Sequence, residues 1–411
     1  MESTCPKPVA KVENVSFSCK RRQSKNAQGI RRIDILGFYS MNKDFNYRND
    51  LSQLRYLGFP RNPEVHFDLR RRSDQIIRKK LPTNEIKLDS ALEWITSHHQ
   101  ECTDENNRFL GDFVTYRGVL TRIMCSPYEK FEGWIICASK FKGTIYLCKY
   151  DTPEKVAEEQ SKPERQKEMG DWGYIFEQHL LSEHPGCPPN IHEPNNQNEE
   201  FSCVFRAKIG TYSLVFAAEM DGLEIRNPVN FEPIGNDSER LKKMLYSKEA
   251  DFVELKTSAN PTDNQREWQK IKRFKSLKWW AQSYLVGVDK IICGYRDNQG
   301  IVSRLDRYSV RELPNLGKGS WDPDVCLQYL SDFLSLVFNK VSAGCDELLW
   351  KFSWDPRKDP NCIEVELCEN SSPYFFLHKW ATEKLTPTKR KRDESSEDSE
   401  ACSFKKSDCG Q

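Results

Sequence analysis

Residues 212–225 read YSLVFAAEMDGLEI, and residues 251–256 read DFVELK. From Leu214 to Ala218 the first stretch is wholly apolar, as a strand buried on both faces should be. It then places Glu219 and Asp221 two apart, so in a continuing strand they share a face. In the second stretch Glu254 and Lys256 share a face, while Val253 and Leu255 point the other way. Ionised carboxylates at the end of a buried strand are costly unless something compensates them. Upstream, GYIFE (173–177) offers Glu177 among apolar residues of a helix-like stretch. If all four carboxylates ionise and converge, only Lys256 offsets them, and such a site should bind a divalent cation. One or two Mg²⁺ ions, which take oxygen ligands and bridge a phosphate, fit this donor set. The Lys256 ammonium can then steer an attacking water and offset developing phosphoryl charge.

Two neighbouring motifs bear on the same chemistry. In FKSLKWWAQSY (274–284), Lys278 and Gln282 are four apart and share a helix face. They continue the stripe of Ile271 and Phe274 but break its apolar character. Polar groups there could reach a phosphate; equally, they could form a solvated face while Trp279 and Trp280 pack elsewhere. In FVTYRGVLTRIM (113–124), Arg117 lies within an otherwise strand-like apolar run and needs an anionic partner. It could pair one of the carboxylates or clamp a phosphate bidentately.

Composition limits the alternatives. The 411 residues carry 62 Lys+Arg against 61 Asp+Glu, a net charge of +1, which argues against coating nucleic acid through bulk positive charge. A local basic groove is compatible with that total. Hydrophobic residues at 37%, with 22 Phe and 10 Trp, suffice for a sizeable core. No apolar run is long enough to cross a membrane, and the start has no apolar leader segment. The 15 cysteines are odd in number and form no C-x-x-C pair, which reads as reduced, mostly buried thiols. His184, Cys187 and His192 lie in a Pro/Asn-rich stretch; zinc there lacks a fourth ligand, and a surface loop is the preferred reading.

The pattern predicts α+β architecture, a single large domain of mixed β-sheets flanked by helices. Residues 1–28 read as a basic, flexible N-terminus, 29–385 as the catalytic domain, and 386–411 as a disordered charged tail. The tail carries KRKR at Lys389–Arg392, a candidate nuclear-import signal, and Ser395, Ser396 and Ser399 among acids. Strands are predicted at 133–141, 143–150, 201–209, 212–225, 251–257, 289–296 and 301–309, with further strands near 347–353 and 363–368. Helices are predicted at 88–99, 173–183, 263–285 and 324–342, and surface loops at 151–171 and 184–200.

In these motifs the chain resembles the DXO decapping exoribonucleases and their fungal relatives that accompany a nuclear 5′–3′ exoribonuclease. The resemblance spans roughly 30–382 and includes YRG (116–118), SPYEKFEGW (126–134), GYIFE (173–177) and EMD (219–221). VELKTS (253–258), LKWWAQSYLVGV (277–288), FSWDP (352–356) and SPYFFL (372–377) complete it. It implies one catalytic domain with a PD-(D/E)XK nuclease-like core, acting at RNA 5′ ends with Mg²⁺ or Mn²⁺, two ions in all. Implied activities are removal of unmethylated or incomplete guanosine caps and of NAD-type caps, pyrophosphate release from 5′-triphosphate ends, and 5′–3′ exonuclease degradation. It implies Glu177, Glu219, Asp221, Glu254 and the main-chain carbonyl of Leu255 as metal ligands, with Lys256 activating the water. Arg117 and Gln282 would contact RNA phosphate near the 5′ end, helped by Tyr116 and Gly118. Ser202 aligns with a substrate-contacting position, and Glu219 could serve substrate as well as metal. The N-terminal part departs most: where relatives can present a substrate-facing arginine, Phe45 falls closest, with Lys43 and Arg48 nearby.

The competing readings are a non-catalytic RNA-end-binding scaffold for a separate 5′–3′ exonuclease, and a DNA endonuclease with the same metal plan. RNA 5′ ends are the expected partner, residence is expected to be nuclear and also cytoplasmic, and no membrane association is expected.

Overall fold

The computed structural model describes residues 12–17 and 29–386, apart from 61, 72, 80–84, 106–108, 229–230, 263, 343, 347 and 370–371. Two mixed sheets form its frame. The larger has ten strands in the order Val12–Ser16, Cys362–Cys368, Leu349–Trp354, Trp134–Phe141, Thr144–Tyr150, Phe113–Tyr116, Tyr212–Glu219, Glu200–Ile209, Arg31–Met41 and Tyr47–Arg48. The smaller has seven: Glu64–Asp68, Ile301–Ser309, Lys290–Arg296, Ala250–Ala259, Gly222–Ile225, Tyr56–Leu57 and Leu181–Ser182. Phe113–Tyr116 runs parallel to both its neighbours, and Ala250–Ala259 runs parallel to Lys290–Arg296. Parallel neighbours need a long crossover. Between the latter two it is the helical run Gln265–Tyr284.

The main core lies between the sheets. Phe113, Phe205 and Phe216 of the large sheet and Ile291 and Cys293 of the small one share one buried cluster. Helices Arg117–Cys125, Ser276–Tyr284 and Pro323–Ser342 contribute to the same cluster. The outer face of the large sheet, with Tyr39, Val204, Val215 and Ala217, packs on Trp94 of helix Asp89–Ser97. The outer face of the small sheet buries Val253, Leu255 and Ile292 against Trp172, Ile175, Phe176 and Leu180 of helix Glu164–Leu180. The alternation of Ala250–Ala259 is therefore resolved. Its odd-numbered apolar residues seat helix Glu164–Leu180, and Glu254 and Lys256 are left for the other face.

Gly294 permits that seating. A Cβ built on it would lie 2.4 Å from the Phe176 ring, so the helix bearing Glu177 approaches as closely as a bare backbone allows.

Several expectations change. Residues 212–225 form two strands, not one: Tyr212–Glu219 ends in the large sheet and Gly222–Ile225 begins in the small one. Residues 151–171 are not a loop. Thr152 caps helix Pro153–Ser161, and helix Glu164–Leu180 begins nine residues before GYIFE. Their charged residues make i,i+3 ion pairs on a solvated side, which reads in sequence as a loop. Within the N-terminal segment read as flexible, Val12–Ser16 pairs with Cys362–Cys368, and Phe17 packs edge-on against Tyr329. Arg117 is not in a strand: Phe113–Tyr116 ends one residue earlier, and Arg117 opens helix Arg117–Cys125. The predicted helix 263–285 is a run of α, π and α segments. Among the described residues, eight of the ten free cysteines are buried; Cys345 departs from the reduced-thiol reading and is disulfide-bonded. His192 turns toward Arg71, and Cys187 is exposed. The KRKR cluster and the tail serines lie outside the described residues. No helix among the described residues is long and apolar enough to cross a membrane.

Candidate active site

The site lies where the chain leaves one sheet for the other. The Met220 N–H donates to the Phe201 carbonyl at 2.8 Å, still in the large sheet. Two residues on, Gly222 pairs with Val253 of the small sheet. Asp221 sits at this crossing, and its Oδ2 accepts the Leu255 N–H at 2.6 Å. One step back along the antiparallel register from Gly222–Val253, Asp221 falls opposite Glu254.

Glu254 is the buried centre, 1% exposed. Arg117 Nη1 lies 3.4 Å from its Oε2, and Lys256 Nζ contacts its Oε1. Burial alone would raise the Glu254 pKa; Lys256 and Arg117 overcome this and hold it below its usual value. The other three carboxyls shift the opposite way. Glu177 is pushed well above its usual value by burial and by the charges of Asp221 and Glu219. Glu219 is pushed up to about 7 by burial and by Glu200, against the pull of Lys79 and Arg117. Asp221 is pushed up to about 7 by burial and by Glu254, against Lys256 and the Leu255 N–H. The nearby cations do not offset burial and mutual repulsion at Glu177, Glu219 and Asp221, which are left short of counter-charge.

The donors are of the kind a hard divalent cation takes: several carboxyls in one buried neighbourhood, short of counter-charge. Among the described residues, no three His, Cys, Asp or Glu side chains are grouped closely enough to hold an ion in this conformation. The reason is local. Glu254 is turned to Arg117 and Lys256, and Asp221 to the Leu255 N–H. The residues fit the ion in the chemistry of their donors; to reach one, Glu254 and Asp221 would have to give up these contacts.

One wall belongs to the large sheet. Ser202 pairs across strands with Glu219 on one side and Tyr39 on the other. The Tyr39 hydroxyl reaches Ser90 Oγ at 3.2 Å, and Ser90 Oγ reaches the Tyr116 hydroxyl at 2.7 Å. Tyr116 is thus tied into this wall. Gly118 has no atom within 4 Å of a Cβ built on it, so packing does not explain that glycine. Gln282 is half-buried on helix Ser276–Tyr284, which packs on helix Arg117–Cys125. Lys278 is exposed, and its charge acts on Cys125 and Glu132, at the opposite end of that helix from Arg117.

Sequence reasoning missed Lys79. Its ammonium contacts Glu200. Burial would lower its pKa, but Glu219 and Glu200 hold it above its usual value. Lys79 lies in an irregular basic stretch without periodicity, so no spacing rule singles it out. Glu200 carried a signal that went unread: it stands two before Ser202 on one strand, hence on the same face.

An acid-rich seam between two mixed sheets, with Glu254 and Lys256 on one face of a strand otherwise packed by apolar residues, defines a nuclease of the metal-dependent type. A family model described as RAI1-like PD-(D/E)XK nuclease matches residues 31–382. The chain is 32% identical to the decapping and exoribonuclease protein of Mus musculus over 361 residues, covering 87% of this chain and 86% of that one. The crystal structure of Candida albicans Rai1 in complex with pU5 and Mn²⁺ matches with a TM-score of 0.72 at 20% identity, over 92% of this chain and 99% of that one. Scheffersomyces stipitis Rai1, in complex with (3′-NADP)⁺ and calcium ion, matches with a TM-score of 0.71 at 19% identity, over 87% of this chain and 94% of that one. The chain belongs to the RAI1-like PD-(D/E)XK nuclease family, and it is an enzyme of the decapping exoribonuclease class.

Proposed function

We propose that this protein hydrolyses RNA 5′ ends in RNA quality control, using divalent metal held by Glu177, Glu219, Asp221, Glu254 and the Leu255 carbonyl. One observation carries the reading: Glu254 is buried between Arg117 and Lys256 while three further carboxyls near it have too little counter-charge to offset their burial. When bound, one or two Mg²⁺ or Mn²⁺ ions would supply Lewis acidity and a nucleophile at neutral pH. The chain's own groups do the rest. Glu254 fixes the Lys256 ammonium, which orients the attacking water and offsets charge developing on the phosphoryl oxygens. The Arg117 guanidinium spends one N–H on Glu254 and keeps donors for a phosphate. Gln282 offers an amide on the same side, and the wall of Tyr116, Ser202 and Tyr39 bounds the space for the terminal nucleotide. Gly118 leaves room for the backbone of that nucleotide.

The pU5 and (3′-NADP)⁺ of the two fungal Rai1 structures support RNA and dinucleotide ends as ligands of this chain. Incomplete guanosine caps, NAD-type caps, 5′-triphosphates and 5′-monophosphates are the proposed substrates. Nuclear residence and a partner 5′–3′ exoribonuclease are proposed from the KRKR sequence and the fungal kinship alone. The test is turnover of RNAs bearing each of these ends with Mg²⁺ or Mn²⁺, products identified by mass. Release of a cap dinucleotide, pyrophosphate or mononucleotide supports the reading. Folded protein that processes none of them refutes it, and cleavage of circular DNA would favour an endonuclease.

A further inference from the structure

The helical run Gln265–Tyr284 presents a surface that chemistry at the seam does not use. In Ser276–Tyr284, Lys278 alone is exposed and Gln282 and Tyr284 are half-buried; the other six residues are buried. Four residues before Lys278 stands Phe274, 47% exposed, and four before that Lys270. In an uninterrupted α-helix the twelve steps from Lys270 to Gln282 would drift by about 120° around the axis. Ile271–Lys275 is instead a π-helix, whose wider turns take back part of that drift. Lys270, Phe274, Lys278 and Gln282 thereby form one stripe about 18 Å long.

The stripe is locally basic. Residues 265–278 hold six Lys or Arg against Glu267 alone, in a chain whose total is +1. Glu267 pairs with Lys270, and Lys275 bonds Ser258. Lys272 lies over the Trp268 ring at 5.4 Å and Arg273 over the Phe274 ring at 5.6 Å. Among the described residues, Lys272, Arg273 and Lys278 have no acidic ion-pair partner. An exposed ring framed by unpaired cations matches the alternation of base and phosphate in a single strand. An acidic peptide would use the cations and leave the ring idle.

We propose that this stripe is a track for the single-stranded RNA body downstream of the 5′ end. The proposal rests on the 5′-end reading above: Gln282, at one end of the track, lies on the helix that packs against the helix bearing Arg117. The probes are a roughly twelve-nucleotide 5′-monophosphate RNA with a 3′ fluorophore and a dinucleotide carrying the same groups. Affinity is read by anisotropy with Ca²⁺, and turnover with Mn²⁺. Phe274→Ala is expected to weaken binding of the longer RNA about ten-fold, through lost stacking. A triple K272Q/R273Q/K278Q variant is expected to flatten its salt dependence by about two units of log K per log salt. Both should reduce the preference for the longer RNA. Unchanged affinity and salt slope for the longer RNA, in variants with unaltered melting temperature, overturn the track, as does a parent that binds both lengths equally. If no 5′ end is processed but the variants still lose the longer RNA, the 5′-end reading fails and the track stands.

Discussion

Exchanging Gly294 for alanine tests whether packing behind the small sheet positions the metal site. The new Cβ would meet Phe176 ring atoms at 2.4, 2.7 and 3.0 Å. That ring is 1% exposed and shares a cluster with Trp172, Val253, Leu255 and Ile292, so it has no free volume to enter. Overpacking of this kind costs about 1–3 kcal/mol, while replacing a strand glycine returns about 0.5–1 kcal/mol. The net loss should be about 1–2 kcal/mol. Relief comes by displacing helix Glu164–Leu180, and Glu177 adjoins Phe176 in the chain. Gly173→Ala is the control: it adds the same methyl one turn before Glu177, where no atom lies within 4 Å. It should stabilise by about 0.5–1 kcal/mol. Urea midpoints with unchanged m-values report stability, and kcat at saturating Mn²⁺ reports the site. Gly294→Ala should lower both, with kcat down about ten-fold, equivalent to roughly 1.4 kcal/mol in the barrier; Gly173→Ala should raise the midpoint and keep kcat. Equal stability and kcat in parent and Gly294→Ala would show that the Phe176 seat does not position Glu177.

Further predictions concern charge and the substrate wall. Glu219 and Asp221 have folded pKa values near 7, above their ordinary 4.5 and 3.8. Their contribution to metal-free stability is therefore full below the ordinary values and lost as pH rises through 7. Metal must displace those protons, so the melting-temperature gain from Mn²⁺ should be larger at pH 8 than at pH 6; an equal gain would contradict the shifts. Arg117→Met removes one of two cations from buried Glu254 and should cost about 3 kcal/mol in the urea midpoint as well as activity. Unaltered stability would show that the 3.4 Å pair carries no weight. Gly118→Ala meets no atom in the fold, so stability should hold or rise while KM for RNA rises; an unchanged KM would remove Gly118 from the substrate wall.

The strand alternation at 251–256 was legible because its two faces differ in chemistry: Val253 and Leu255 must be buried, and Glu254 and Lys256 must find each other. The acid pair of EMD was legible in composition but not in geometry. An apolar strand running into a second strand looks continuous, and only pairing shows that Asp221 lies between two sheets. Arg117 misled for a related reason. VTYRGVL suits a strand or a helix start, and the choice is made by the parallel partners of Phe113–Tyr116, far away in sequence. Lys79 was invisible because its role depends on Glu200 and Glu219, more than a hundred residues later. Strand Arg31–Met41 escaped because its charged start and Gly37 obscure the alternation; Gly37 is there to admit the Trp94 ring.

In the proposed mechanism the seam carboxylates hold the divalent metal on which hydrolysis depends. Its most direct test is titration of Mn²⁺ into parent and Asp221→Asn protein, following both bound metal and release of product from a 5′-monophosphate RNA. Parent activity should rise with metal occupancy and disappear with a chelator, and Asp221→Asn should lose both while keeping its fold. Full turnover without metal, or an Asp221→Asn variant with parental metal binding and activity, would contradict this mechanism.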